Sequence, residues 1–369
     1  MAATILSDAE RVAWLRLIRT ENVGPQTFRQ LVSRTGSAAA ALNALPALSR
    51  RLRTLPRIPS ASEAEDEIAA LDRLSGRLVA LTEPNYPPLL RHIAGPPPLL
   101  SVIGAADLDL TRTVAIVGAR NASAAGQKMT RMLAGDLGAA GYVVVSGLAR
   151  GIDASAHKAA LRTGTVAALA GGMDRIYPEE NIPLAREIVD NGGLLVSEMP
   201  MGWQPRARDF PRRNRLVSGM SLGVVVVEAA RKSGSLITAR MALEQDREVF
   251  AVPGSPLDPR AEGGNALIQE GARLITGAHD IVDTLSSGYR SIASLPDADS
   301  DEPGLFEDAE PTEDDRARLL AALSVTPVPV DELIANTGLS VPVVQMLLLG
   351  LDLEGQIEWS SGQLVALRL

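Results

Sequence analysis

Arginine, lysine and serine side chains follow several short apolar runs of this sequence, where they could bind phosphate groups. The densest stretch is DFPRRNRLVSG, residues 209–219, in which three arginines and an asparagine follow a Phe-Pro pair. Guanidinium groups, hydroxyls and backbone N–H groups at helix starts are the usual protein ligands of phosphate. The candidate contacts are Arg120, Ser123, Ser146, Gly147, Arg150, Arg206, Phe210, Arg212, Arg213, Asn214, Arg215, Lys232, Ser233, Gly234 and Ser235.

The number of these groups indicates the kind of ligand. One phosphate site would suit a mononucleotide, whereas several in succession suit a polyanion. With Phe210 available for base stacking, single-stranded nucleic acid fits best. For any one arginine the alternative is an ion pair with a nearby acid such as Glu198 or Asp209, and the sequence leaves that choice open.

Seven apolar runs predict the strands that position these groups. They are TVAIVG (113–118), YVVVSG (142–147), TVAALAGG (165–172), LLVSE (194–198), GVVVVEAA (223–230), EVFAVPG (248–254) and RLIT (273–276). Solid runs of β-branched residues indicate burial on both faces, and therefore a parallel sheet. Amphipathic segments between the runs predict helices. We expect a doubly wound, Rossmann-like sheet whose ligands lie at the carboxyl ends of its strands.

The turn after the first run argues against a dinucleotide. The stretch GARNAS, residues 118–123, departs from the G-x-G-x-x-G pattern, because Arg120 replaces its second glycine and Ser123 its third. Arg120, Ser123 and the following helix N-terminus would together suit a single phosphate. The pair Asp153 and His157 could serve acid–base chemistry or could simply cap and pack a helix.

The expected fold class is α/β: a Rossmann-like, doubly wound, mainly parallel sheet with a small helical N-terminal domain and a C-terminal winged-helix domain. The N-terminal domain is helix-hairpin-helix or sterile-alpha-motif-like, and its hairpin, 21–42, would either bind duplex DNA or serve only packing. The expected domains are 1–80 (helical), 81–290 (Rossmann-like, DNA-binding), 291–312 (acidic linker) and 313–369 (winged helix).

Charge is unevenly distributed along the 369 residues. The net charge is -8, yet ten acids and no bases lie between Asp297 and Asp315, which leaves 36 bases against 34 acids elsewhere. Residues 1–60 contain nine arginines and three acids. Residues 313–369 contain three bases and eight acids, which favours protein interaction over DNA binding for the winged helix, because phosphate contacts dominate DNA affinity.

Several classes of protein and site are not expected. The absence of cysteine excludes disulfides and cysteine-based metal sites, and we expect no metal or cofactor. No apolar run reaches the ~18 residues of a membrane span, and the N-terminus lacks a signal-peptide pattern. We therefore expect a cytoplasmic protein that does not bind membranes.

Five blocks of sequence resemble the DNA-processing protein A (DprA/Smf) family, in the family's order over about 113–275. They are SGLARGIDASAHKAAL, GGMDRIYPEEN, FPRRNRLVSGMS, VVVVEAARKSGSLITARMALEQDREVFAVPG and GGNALIQEGA. The resemblance implies a protein that is not an enzyme. It would bind and protect incoming single-stranded DNA during natural transformation, help to load the RecA recombinase, and form a homodimer through its Rossmann-like domain.

The resemblance also assigns residues. It implies that Arg120 and the Phe-Pro-x-Arg-Asn-Arg block line the DNA pocket. The residues assigned from that block are Phe210, Arg212, Asn214 and Arg215, with Arg213 taken as its variable position. Many relatives have a lysine three residues before the phenylalanine. This chain has Ala207 there, and either Arg206 or Arg208 would replace that lysine.

An enzyme is the alternative from another class. Rossmann-like domains with glycine-rich strand ends also occur in nucleotide phosphoribohydrolases of the lysine-decarboxylase-like family. In that case Glu198, Glu228 or Asp153 would be the catalytic acid.

Overall fold

The structure is a computed structural model that describes residues 4–48, 56–105, 107–288, 311–360 and 364–368. The predicted acidic linker lies almost wholly outside these ranges. The chain forms two compact units. The first comprises mainly residues 67–93 and 100–288, and the second comprises mainly residues 5–66, 94–99 and 311–368.

The N-terminal region is helical, as predicted, and consists of α1 (Asp8–Ile18), α2 (Pro25–Thr35), α3 (Ala38–Leu48) and α4 (Ala61–Asp72). Helix α1 begins at a capping box in which Ser7 and Glu10 satisfy each other's backbone N–H groups. Helix α2 begins after Gly24 with a proline, and ends at Gly36, whose φ of +83° favours glycine. The predicted hairpin, residues 21–42, therefore spans α2 and the start of α3, with Gly36 at the turn between them.

A nine-stranded sheet forms the core of the first unit. Its strands are β1 (Gly76–Ala80), β2 (Leu99–Gly104), β3 (Thr113–Val117), β4 (Val143–Ser146), β5 (Thr165–Ala168), β6 (Leu194–Ser197), β7 (Gly223–Val226), β8 (Glu248–Ala251) and β9 (Arg273–Leu274). Their order is β1-β2-β6-β5-β4-β3-β7-β8-β9. Strands β3 to β9 pair in parallel, and β2 pairs antiparallel with β6. The predicted fold class is confirmed.

Helices cover this sheet. They are α5 (Ala124–Ala139), α6 (Ile152–Ala160), α7 (Ile182–Asp190), α8 (Asp209–Gly219), α9 (Gly234–Glu244), α10 (Glu262–Gln269) and α11 (Ala278–Gly288). Alternate residues of the same strand enter two different apolar clusters, as Val144 and Val145 of β4 do. Both faces of the sheet are therefore buried, which explains the solid apolar runs.

Strands β1 and β2 are absent from the predicted set. The sheet begins at Gly76, N-terminal to the predicted domain boundary at residue 80. Strand β1 follows helical sequence and β2 follows three prolines, and neither alternates strictly between apolar and polar residues. In the sheet β2 pairs with β6 and β1 lies beside β2, where the Arg77 guanidinium contacts the carbonyl of Gly104 at 2.9 Å.

The C-terminal residues form the predicted winged helix. Its helices are α12 (Glu313–Ala322), α13 (Val330–Thr337) and α14 (Val341–Leu353), and its antiparallel strands are β10 (Val328–Pro329), β11 (Ile357–Ser360) and β12 (Leu364–Leu367). Within the described residues no single helix is long and apolar enough to cross a membrane. The bent pair α13 and α14 reaches that length and composition only when both helices are taken together.

Candidate nucleic-acid interface

A small pocket lies at the carboxyl ends of β3, β4 and β5, beside the start of α8. The guanidinium of Arg120 lies over the ring of Phe210, 5.5 Å from its centroid. The ring of Tyr177 meets Phe210 edge-on, with 5.5 Å between centroids. The pocket is lined by Arg120, Gly147, Ala149, Arg150, Tyr177, Pro178, Phe210 and Arg213. Five of these eight residues belong to the predicted contacts, and we call this set the Arg120–Phe210 pocket.

The loop after β4 has an unusual backbone that gives the pocket its shape. Leu148 adopts a φ of +57° although it is not a glycine, and its carbonyl accepts a hydrogen bond of 2.8 Å from the Asn181 side chain. Gly151 has a φ of +73°, and a Cβ there would lie 2.6 Å from the carbonyl oxygen of Arg120. Glycine at 151 thus allows the turns after β3 and β4 to pack together, with Arg120 and Arg150 both exposed.

Arg213 is buried beneath this loop. It is the third residue after Phe210 and therefore the first arginine of the Phe-Pro-x-Arg-Asn-Arg block, with Arg212 at the variable position, so the assignment made from the sequence was reversed. Its Nη1 donates to the carbonyls of Gly147 and Ala168, the latter at 2.6 Å. Burial lowers the pKa of Arg213 to about 10, an effect that the charge of Asp153 opposes, so the guanidinium stays protonated at neutral pH. Burial raises the pKa of Asp153, and the charge of Arg213 and two backbone N–H groups counteract that shift. Arg213 therefore supports the pocket from below.

Glu198 organises two further arginines of the stretch. Its side chain is 6% exposed and forms ion pairs with Arg212, at 3.0 Å, and with Arg215. The side chain of Arg212 is 47% exposed and that of Arg215 only 16%. Arg212 can therefore reach a ligand from its pair with Glu198, whereas Arg215 mainly compensates a buried carboxylate.

Asp209 closes the start of α8. Its carboxylate accepts hydrogen bonds from Trp203 Nε1, at 2.9 Å, and from the backbone N–H of Arg206, at 2.8 Å. The Arg206 guanidinium in turn lies over the Trp203 ring, 4.9 Å from its centroid. Both Arg206 and Arg208 are exposed on either side of Ala207, so both remain available to replace the family's lysine.

Ser123 already has an anionic partner. Its backbone N–H donates to Glu228 at 2.9 Å, and its hydroxyl donates to the same carboxylate at 2.5 Å. A Cβ on Gly126 would lie 2.5 Å from the Glu228 carboxyl carbon, so the first turn of α5 leaves room for this group. Glu228 lies at the junction of β3 and β7, where doubly wound sheets commonly bind phosphates. The protein's own carboxylate thus occupies the predicted phosphate position.

The remaining predicted contacts divide into buried and exposed groups. Ser146 is fully buried and its hydroxyl donates to the carbonyl of Ile116 at 2.6 Å, which ties β4 to β3. Ser233 caps α9 and lies 2.7 Å from the hydroxyl of Ser235. Lys232 and Gly234 are exposed. The Asn214 side chain donates to the Gly234 carbonyl at 3.4 Å, which connects the start of α9 to α8.

The potential acid–base groups are engaged elsewhere. His157 Nδ1 lies 2.7 Å from Thr165 Oγ1, and burial lowers the pKa of His157 to about 3, so its ring stays neutral. Asp153 accepts the N–H groups of Gly147 and Ala149 at 3.1 and 3.3 Å. Among the described residues no group of three or more acidic or histidine side chains is arranged to hold a metal ion.

Residues 77–286 match the model of the family described as DNA recombination-mediator protein A. The chain belongs to this family. Residues 8–70 match the DprA-like N-terminal HHH domain, and residues 303–363 match the DprA winged helix domain. The resemblance that the sequence blocks indicated is confirmed.

Individual members of the recombination-mediator family are similar over most of their length. The chain is 39% identical to Protein Smf of Escherichia coli over 82% of this chain and 81% of that protein. It is 44% identical to the DNA processing protein DprA of Bacillus subtilis over 56% of this chain and 70% of that protein.

Two solved structures of the family have the same fold. DprA of Streptococcus pneumoniae has a TM-score of 0.62 and 29% identity, covering 78% of this chain and all of that chain. DprA of Helicobacter pylori has a TM-score of 0.53 and 32% identity, covering 58% of this chain and 97% of that chain, and was described for its single-stranded DNA binding mode.

Besides Ala149 and Pro178, which line the pocket, two residues of this site were not among the predicted contacts. Tyr177 follows a glycine turn within the block GGMDRIYPEEN, and its side chain is 52% exposed beside Phe210. An exposed aromatic residue after a strand is a signal that could have identified it. The sequence indicates Glu228 only as a candidate catalytic acid, because it does not show that the Glu228 carboxylate faces Ser123 from the neighbouring strand.

Proposed function

We propose that this protein binds single-stranded DNA at the Arg120–Phe210 pocket, protects incoming DNA and acts as a recombination mediator in natural transformation. The observation that carries the proposal is the exposed Arg120 guanidinium above the Phe210 ring, with Tyr177 and Arg150 beside it. A cation next to an aromatic pair suits a nucleotide whose phosphate and base bind together. The family description and the DNA-binding relative from Helicobacter pylori support the same role.

The contacts fall into two groups in this proposal. Exposed cations bind the phosphates, Phe210 and Tyr177 stack on bases, and Asn214 and Gly234 border the path. The remaining residues hold these groups in position. They are Ser123, Ser146, Gly147, Arg213, Arg215, Ser233 and Ser235. The proposed phosphate ligands are Arg120, Arg150, Arg206, Arg212 and Lys232.

Binding of fluorescent oligo-dT across a salt series tests the pocket. The double variant Arg120→Gln/Arg150→Gln should bind more weakly, and its slope of log K against log salt should be shallower by about 1.4, because each lost single-strand phosphate contact contributes ~0.7. Arg162→Gln is the matched control, since Arg162 is exposed just before the amino end of β5. Unchanged affinity and slope in the double variant would refute the pocket.

The proposal gives the protein no catalytic role. The contacts of its acidic side chains support this. Glu198, Glu228 and Asp153 each make ion pairs or hydrogen bonds that a reacting group would have to give up. Incubation with nucleoside monophosphates separates this role from that of a nucleotide phosphoribohydrolase. No free base should appear.

The family resemblance adds a partner. The protein would act in the cytoplasm and help to load the RecA recombinase onto DNA that it holds, with an acidic linker between its Rossmann-like domain and its winged helix. A strand-exchange assay on DNA coated with single-strand-binding protein tests the loading role. Strand exchange should start sooner when this protein is added, and an unchanged lag would contradict the role.

We also propose a homodimer through the Rossmann-like domain. The two-residue strand β9 ends the sheet, and its Leu274 is 47% exposed. An apolar side chain on an open sheet edge is a typical association surface. Light scattering after size exclusion should give a dimer mass for the wild type and a monomer mass for Leu274→Glu. A dimer in both would place the interface elsewhere.

A further inference from the structure

The winged helix packs against the N-terminal hairpin within the second compact unit. Leu349 and Leu353 of α14 are 6% and 2% exposed, and they lie in one apolar cluster with Leu17 of α1 and with Phe28 and Leu31 of α2. Other residues of α14 fill the core of the winged helix itself. Helix α14 is thus buried on two sides, and the second side belongs to the N-terminal helices.

Polar contacts lie near both ends of α2, on either side of this apolar centre. The Asn22 side chain donates to the carbonyl of Leu353 at 3.0 Å, and the hydroxyl of Thr27 donates to the carboxylate of Asp352. The Arg34 guanidinium lies 2.8 Å from the sulfur of Met346. Three points of α2 and its preceding turn therefore contact α14 through side chains.

The covered element is the part of the hairpin suited to DNA. Helix α2 starts after Gly24 without a side-chain cap, and backbone N–H groups at such starts bind phosphate. The carboxylate of Asp352 lies at Thr27, the third residue of the helix. Residues 1–60 contain six more bases than acids, and residues 313–369 contain five more acids than bases. The two modules therefore have net charges of opposite sign.

We propose that the winged helix is an intramolecular cover of the N-terminal hairpin, which competes with the phosphates of duplex DNA for the start of α2. The winged helix acts as the hairpin's partner in the closed chain and does not read DNA itself. The hairpin binds duplex DNA only when the cover is released. This role is separate from the binding of single strands at the Arg120–Phe210 pocket.

Duplex affinity of the full chain tests this cover. Leu353→Glu should open it while leaving every hairpin residue unchanged. If the open form is a tenth of the wild-type population, affinity for a short duplex should rise about 10-fold on opening. Gln345→Glu, on the exposed side of α14, is the matched control for the added charge and should bind as the wild type does. Oligo-dT binding, measured in parallel, should not change in either variant.

A reversible cross-link provides a second test that does not depend on the folding of Leu353→Glu. The chain has no cysteine, so the only disulfide that Thr27→Cys/Asp352→Cys can form within one chain joins residues 27 and 352, and non-reducing electrophoresis separates it from a disulfide between two chains. Oxidation should close the cover and reduce duplex binding, and reduction of the same sample should restore it. Equal duplex affinity of the oxidised and reduced forms, or failure of the pair to cross-link, would overturn the proposal.

Discussion

The buried guanidinium of Arg213 occupies the space that a side chain on Gly147 would need. A Cβ at residue 147 would clash with its Nη1 atom, and Nη1 donates to the Gly147 carbonyl. Both residues were predicted to contact DNA, yet they contact each other beneath the pocket. An arginine within a basic stretch can therefore serve the fold, and its charge is balanced by Asp153 inside the protein.

Arg213→Met should destabilise the protein strongly. Loss of the guanidinium leaves Asp153 buried with less compensation, and removing one partner of a buried charged pair costs about 3–5 kcal/mol in the free energy of unfolding. Urea denaturation measures the change. Arg208→Met, at an exposed arginine nearby, should shift the free energy of unfolding by only ~0.5 kcal/mol or less. An unchanged urea midpoint together with lost oligo-dT binding would instead make Arg213 a direct DNA contact.

Phe210→Ala should weaken oligo-dT binding without changing its dependence on salt. Base stacking on an aromatic side chain contributes about 1–3 kcal/mol per base, which corresponds to roughly 5- to 150-fold in affinity. The salt slope reports phosphate contacts and should keep its wild-type value. Phe210→Trp keeps a stacking surface and should retain most of the affinity. A shallower slope in Phe210→Ala would show that the ring acts mainly by positioning Arg120.

Glu228→Gln should loosen the start of α5. The carboxylate accepts two hydrogen bonds from Ser123 at a helix N-terminus, and a bond to a charged group contributes about 1.5–3 kcal/mol. The midpoint of thermal unfolding should fall, whereas Glu187→Gln, at an exposed residue of α7, should not change it. If the wild type releases the base from nucleoside monophosphates and Glu228→Gln does not, the non-enzymatic role is contradicted.

Closure of the winged helix on the hairpin should depend on the protonation of Asp352. Burial raises the pKa of Asp352 to about 6 in the closed unit, against the hydrogen bond from Thr27 and the charge of Arg368. Exposed in an open form, the carboxyl would titrate near ~3.9. The closed form therefore holds a proton on Asp352 that the open form releases. The stabilisation of the closed form by this proton is complete below about pH 4 and is lost as the pH rises through 6.

Duplex binding measured between pH 5 and 8 checks this dependence. The wild type should gain affinity relative to Asp352→Asn as the pH rises through about 6. The asparagine variant has no proton to lose, so it isolates the contribution of this carboxyl from those of the histidines. Parallel pH profiles for the two proteins would show that Asp352 does not control closure.

Most of the sheet could be predicted because its signals are local. Six apolar runs predict β3 to β8 since a strand that is buried on both faces must be apolar along its whole length, and the exposed two-residue strand β9 lies within the seventh run, RLIT. The winged helix and the hairpin were predicted for a similar reason, as helical periodicity and capping residues are read over a few positions. Strands β1 and β2 were not predicted, because β1 follows helical sequence and β2 follows three prolines, so their place in the sheet is determined by the neighbours with which they pair.

The sequence by itself determined which strand ends contain cations and that Phe210 is near them, because residues following parallel strands gather at one edge of a sheet. Only the tertiary structure decided the role of each group. Glu198 is 14 residues from Arg212 and 17 from Arg215, so their pairing depends on how β6 and α8 pack. The cover of α2 by α14 joins residues more than 300 positions apart, and long-range burial of that kind leaves no local pattern.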